Sequence, residues 1–209
     1  MDQPLLSPEQ VSWGTEPAER ADAARNRRLL LATAREMLAA DGVDKLTMDG
    51  LAERAGLGKG TVFRRFGTRA GIFRALLDDA ERSFQELVLT GPPPLGPGAP
   101  PLDRLVAYGR ARIGFLIEHR DIARATLDGS EPIPAGSRTP MSQLHIRVLL
   151  GQMDIGPADL DMLAVQLSAA LDGPLLLYLS ADDLAEPAPR TAERIARAWQ
   201  DLIRRACRP

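Results

Sequence analysis

Apolar side chains at Met48, Leu51, Ala52 and Ala55 fall at i, i+3, i+4 and i+7, the spacing of one helical face. Thr47 stands where an N-cap hydroxyl can accept from an N–H of the first turn, and Gly56 stands where a helix needs a left-handed residue to stop. The pattern resumes at Lys59 to Phe66, where Val62, Phe63 and Phe66 turn inward and Lys59, Thr61, Arg64 and Arg65 are left for the other side. Upstream, Leu30, Ala34, Met37 and Leu38 form the stripe of a helix from about Ala21 to Asp41, stopped by Gly42. Downstream, Gly67-Thr68 breaks the chain, and Ile72, Phe73, Leu76, Leu77, Ala80, Phe84 and Leu87 predict a connecting helix over 69–89.

The rest of the chain alternates helical stripes with breaks. Residues 91–101, GPPPLGPGAPP, cannot be helical, because proline removes backbone donors and glycine adds freedom. Leu105, Val106, Tyr108, Ile113, Leu116 and Ile117 then predict a helix over 102–118, followed by a short one from Asp121 to Leu127 and a proline-containing loop over 130–140. Further helices are expected from Met141 to Met153, from Gly156-Pro157 to about Leu179, and after Pro187 and Pro189 to Ala206. The reading is all-α: an expected disordered tail over 1–19 aside, a helix-turn-helix domain over 20–68 precedes a helical body over 69–209.

Two short helices joined by a glycine-marked turn are the sequence form of a helix-turn-helix, whose second helix meets base edges in the major groove. Charge agrees with this. From Glu53 to Arg74 there are six basic residues and one acid, the local cation excess that counterion release from phosphates requires. Across the 209 residues the formal charge is only −2, but Arg20 to Ala75 holds 12 basic and 6 acidic residues, so a basic module is attached to an acidic body. The order GLGKGT around Lys59 matches neither phosphate-binding glycine motif, and the preceding residues read as helix rather than strand.

Leu30-Leu31-Ala32-Thr33-Ala34, Met37-Leu38-Ala39 with Gly42, Leu46-Thr47-Met48, Leu51-Ala52, Ala55-Gly56-Leu57, Lys59-Gly60-Thr61-Val62-Phe63 and Phe66 closely resemble the N-terminal domain of TetR/AcrR-type bacterial transcriptional regulators. The resemblance covers about Arg25 to Leu77. This chain has Phe63 where the family usually has Tyr, Arg65 where it usually has His, and Gly58 where it usually has Ser. The resemblance implies a homodimeric repressor, released from a double-stranded, pseudo-palindromic DNA operator by a small-molecule effector. Lys59, Thr61 and Arg64 are expected at base edges, with Arg65 shared between base and phosphate. Thr47, Phe63 and Arg69 are expected to position the domain on the backbone, Gly60 to permit close approach, and Arg28 to reach a phosphate from the first helix.

Leu175-Leu176-Leu177-Tyr178-Leu179 is apolar all round, and Ile195, Ala198, Trp199, Leu202, Ile203 and Ala206 form a continuous stripe. That is more apolar surface than one chain needs, and the resemblance likewise implies dimerisation through the last two helices; Leu175, Tyr178, Ile195, Trp199, Leu202 and Ile203 are the expected interface. From the resemblance and helical spacing, Phe115, His119, Met141, His145, Leu149, Met153, Leu167 and Leu171 are expected to line an effector pocket. Catalytic motifs of the GxSxG, HExxH and CxxC types are absent from the sequence, so no catalytic residue, metal or cofactor is assigned. The single Cys207 excludes an internal disulfide, and no apolar run reaches the ~20 residues of a membrane span. With no basic start and apolar run at the N-terminus, a cytoplasmic location is expected. Two alternatives stay open: a DNA-binding regulator without an effector, and a small all-α enzyme or ligand carrier.

Overall fold

A computed structural model describes residues 17–126, 140–179 and 188–207. Among these, every regular element is helical: α1 (Pro17–Asp41), a 3-10 turn (Val43–Lys45), α2 (Met48–Arg54), α3 (Lys59–Phe66), α4 (Arg69–Thr90), α5 (Pro101–Glu118), α6 (Arg120–Ala125), α7 (Pro140–Leu150), α8 (Leu160–Leu179) and α9 (Ala188–Ala206). The chain divides into two compact units, one ending at Arg65 and the other beginning at Phe66.

In the first unit most of the expected stripes are the core; Phe63 is a correction, expected to turn inward with Val62 but 53% exposed, because a helix as short as α3 buries only the side that carries Val62. Leu30, Leu31, Ala34 and Met37 of α1 are buried together with Leu46, Leu51, Ala52 and Val62. The Thr47 hydroxyl accepts from the Gly50 N–H at 3.0 Å, which fixes the start of α2. At its end Gly56 takes φ +64°, and the Leu57 N–H reaches back to the Ala52 carbonyl at 3.0 Å, a turn that a side chain at position 56 would strain. Helix α1 starts earlier than the sequence pattern indicates, at Pro17, inside the expected tail. Of that tail, residues 1–16 lie outside the described ones.

In the second unit α5 is central, packing against α7, α8 and α9. The closest approach is to α9. A Cβ at Gly109 would overlap the Trp199 indole, and the Trp199 Nε1–H donates to the Leu105 carbonyl at 3.2 Å. This corrects part of the expected dimer interface: Trp199 and Ile203 are 3% and 0% exposed within their own chain, because their side of α9 is spent on α5. Ile195 is half-buried against the same core, and Leu202 is exposed. The side chains of Leu175 and Tyr178 lie outside the described residues. Two boundaries also move. Helix α7 ends at Leu150, where Gly151 and Gln152 turn the chain, and α8 begins at Leu160 rather than at Gly156-Pro157. The reason is a better cap: the Asp159 carboxylate accepts from the Met162 N–H at 3.0 Å, whereas Gly156 sits at φ +74°.

Gly109→Ala would gain about 1 kcal/mol of helix propensity but force the Trp199 indole aside. A net loss of about 1–3 kcal/mol is expected, read as a lower urea midpoint.

Candidate nucleic-acid interface and ligand pocket

Helix α3 presents a cationic surface with no acid in its first turn. Only Val62 is fully buried; Lys59, Gly60, Phe63, Arg64 and Arg65 are exposed and Thr61 is half-buried. Lys59 Nζ lies 2.8 Å from the Asp49 carboxylate of α2, with both side chains more than 60% exposed. An exposed pair of this kind is worth ~0–1 kcal/mol, so it is readily exchanged for a phosphate or base edge. Arg65 Nη2 donates to the Ala23 carbonyl at 3.0 Å and so ties α3 to α1. Its guanidinium already has a job in holding the helix in place. Arg54 similarly reaches Asp41 at 3.0 Å.

Phe63 is 53% exposed, an aromatic ring on a basic helix with solvent on its open side. At Gly60 an added Cβ would meet nothing within 4 Å, so folding alone does not require glycine there. Arg28 is exposed on α1. In the second unit the Thr68 hydroxyl caps α4 through the Gly71 N–H at 3.1 Å, and the Arg69 guanidinium lies 4.9 Å above the Phe73 ring. That cation–π contact one turn along offsets the unfavourable placement of a cation at a helix N-terminus.

The body holds a small open cleft with about 10 Å³ of enclosed space, room for one water molecule, lined by Glu81, Phe84, Gln85 and Val88 of α4, Tyr108 of α5, and Met141, Ser142 and His145 of α7. Of the eight residues expected to line a pocket, Met141 and His145 do. Phe115, Leu149, Leu167 and Leu171 are instead buried in the apolar core, and Met153 packs against its edge. His119 stacks on Phe115 with centroids 4.4 Å apart, and its Nδ1 lies 2.9 Å from the Phe115 carbonyl oxygen. Helical spacing identifies the buried face of a helix but not which part of that face borders a void.

Behind the cleft, Arg112 is 3% exposed and pairs with Glu81 at 2.6 Å, with its guanidinium 5.6 Å and 5.1 Å from the Phe84 and Phe115 rings. The Tyr108 hydroxyl donates to Ser142 Oγ at 2.6 Å, and its ring lies 4.8 Å from that of His145. Burial pushes the Tyr108 phenol above its ordinary pKa and lowers His145 to about 4, with the charge of Arg104 adding to the effect on His145. Nε2 of His145 is buried without a hydrogen-bond partner. Sequence reading missed Glu81, Tyr108, Arg112 and Ser142 as a group. One signal was present: Arg112 falls on the same α5 stripe as Leu105, Tyr108 and Leu116, and a cation on an apolar stripe needs a buried partner.

Among the described residues no cluster of three His, Cys, Asp or Glu side chains forms a metal-binding group, and no helix is long and apolar enough to cross a membrane.

Residues 30–76 match the sequence profile described as bacterial regulatory proteins, tetR family. Over 59 residues the chain is 39% identical to the DNA-binding transcriptional repressor TetR of Mycobacteroides abscessus, a match spanning 28% of this chain and 31% of that protein. The fold is similar to that of a TetR-family transcriptional regulator from Pectobacterium atrosepticum, with TM-score 0.67, 22% identity, and coverage of 91% of this chain and 98% of that one. It is also similar to a TetR/AcrR-family regulator from Thermobifida fusca, with TM-score 0.57, 17% identity, and coverage of 85% and 97%. At these identities the structural likeness is one of fold.

His145 supplies a pH test. Its folded pKa is depressed below the ordinary ~6.5, so below that pH the unfolded chain takes up a proton that the native chain refuses. Stability should therefore fall as pH drops from about 6.5 towards 4, by up to about 3 kcal/mol. Comparing urea midpoints at pH 7.5 and 4.5 for the wild type and His145→Gln isolates this effect; an equal loss in the variant would assign it to other groups.

Proposed function

Because the chain belongs to the tetR family of bacterial regulatory proteins, we propose that it is a homodimeric transcriptional repressor that leaves its operator when a small molecule enters the body. The observation that carries this reading is α3 itself: a short helix in the family-matching segment, braced from behind and basic on its exposed side. Lys59, Thr61 and Arg64 read base edges. Arg65 serves chiefly to hold α3 on α1, with its remaining donors available to a phosphate. Thr47, Arg28 and Arg69 meet the backbone, Phe63 packs against sugar or a thymine methyl where a tyrosine would add a hydroxyl, and Gly60 leaves room for DNA. Two such helices one helical turn apart, about 34–36 Å, would read a pseudo-palindrome in the cytoplasm.

The dimer surface is reassigned to the sides of α8 and α9 that their own chain leaves open. Met162, Val165 and Ala169 of α8 are exposed at i, i+3 and i+7, and Ala198, Leu202 and Ala206 of α9 at i, i+4 and i+8. Small residues beside Leu and Met let helices from two subunits approach closely. The effector would enter the cleft beside α4, the helix that follows α3 in the chain after Gly67 and Thr68. Binding that favours one arrangement of α4 shifts the population of dimers whose heads fit the operator.

Selection of bound fragments from the source genome should recover a palindromic site. On it, Lys59→Ala should lose about 1–2 kcal/mol, roughly 5- to 30-fold, in a gel shift at fixed salt; unchanged affinity would remove Lys59 from the reading surface. Light scattering at micromolar concentration should give a dimer for the wild type and a monomer for Leu202→Glu. A monomeric wild type would end the two-headed mechanism.

A further inference from the structure

We propose that Phe63 is a specificity-determining residue that packs against the C5-methyl of one thymine in each half of the DNA site, at a gap that Gly60 leaves open beside it. This rests on the regulator reading above and deepens it by naming what one side chain of α3 selects.

Among the described residues, Phe63 is the one aromatic side chain that the fold leaves largely exposed. Val62, not Phe63, anchors α3 inward. The surroundings of the ring are cationic: Lys59 precedes it by one turn, Arg64 follows it, and both are exposed. An apolar ring set among cations on a short helix is matched to a polyanion that also carries apolar groups, which is the chemistry of DNA.

Position around the helix says which part of the DNA it meets. At 3.6 residues per turn, Gly60 and Arg64 stand opposite the buried Val62, and Phe63 flanks Gly60. A helical side chain leans back over the turn that precedes it, so the Phe63 ring is directed towards the turn that holds Lys59 and Gly60. A Cβ added at Gly60 would meet nothing within 4 Å, not even that ring, and Gly60 is not among the glycines at positive φ. Neither packing nor backbone conformation therefore asks for glycine there, although glycine costs a helix stability relative to alanine. The bare spot is room for a group from outside the chain. The N-terminal residues of a recognition helix are the ones that meet base edges in the major groove, and thymine is the base that offers an apolar group there. Phe63 has no hydroxyl to give a phosphate, and a contact to sugar would carry no sequence information.

The probe is the tightest-binding duplex that the full wild-type chain recovers from a randomised library, remade with each thymine in turn replaced by uracil, which removes the methyl alone. In gel shifts at fixed salt, one thymine in each half-site should be sensitive. Uracil there should weaken wild-type binding about fourfold, the factor that burial of one methyl is worth, and 5-bromouracil, which puts a group of methyl size back, should restore it. These arms use only the wild type and do not depend on any variant folding. Phe63→Ala should bind the thymine and uracil duplexes equally, with the salt dependence of the wild type, because no phosphate contact is lost. Gly60→Ala should bind the thymine duplex more weakly while its urea midpoint does not fall. Indifference to uracil at every thymine, a recovered duplex without thymine in its half-sites, a uracil penalty that survives Phe63→Ala, or full affinity in Gly60→Ala would each overturn the proposal and leave the regulator reading standing. A library from which the wild type recovers no duplex would end the regulator reading itself, and this inference with it.

Discussion

The guanidinium of Arg112 sits inside the body at 3% exposure. Burying a charge is tolerable only if a counterion is brought to it and its faces are covered. Both requirements are met by side chains on and around α5: Glu81 comes from α4, and the Phe84 and Phe115 rings close over the cation. Through this contact α4 is held to α5 by a pair whose rupture would leave either partner stranded. The same residues form the back of the cleft, so its charge balance follows from the way the body is held together.

The α5–α9 contact is a constraint of another kind. Gly109 removes a side chain where the Trp199 indole must lie, and the indole N–H then reaches the Leu105 carbonyl. One side of α9 is thereby committed to its own chain, leaving Ala198, Leu202 and Ala206 on the other. The N-terminal unit works by division of labour. Val62 anchors α3 inward, Arg65 fastens it to α1, and Lys59 is held only by an exposed pair with Asp49 that DNA can replace.

Much of this was legible in the sequence because it rests on short-range periodicity. The stripe from Leu30 to Met37, the Thr47 cap, the left-handed Gly56 and the basic side of Lys59 to Arg65 are local patterns, and each appears where the spacing places it. The pocket was legible only in part. Met141 and His145 border the cleft beside α4, whereas Leu149, Leu167 and Leu171 are buried in the apolar core, since an apolar residue at the right spacing faces inward whether or not a void lies there. The α8 start was missed because Pro157 is a good first residue in isolation, but Asp159 caps the helix in fact.

By itself, then, the sequence determined the all-helical class, the helix-turn-helix and the side of α3 that faces outward, all of which depend on residues a few positions apart. The tertiary structure alone decided which cation is buried and by what acid, which side of α9 remains open, and which histidine lines a cleft. Those outcomes join residues far apart in the chain, such as Glu81 with Arg112 and Gly109 with Trp199, and no local spacing encodes the approach of two helices.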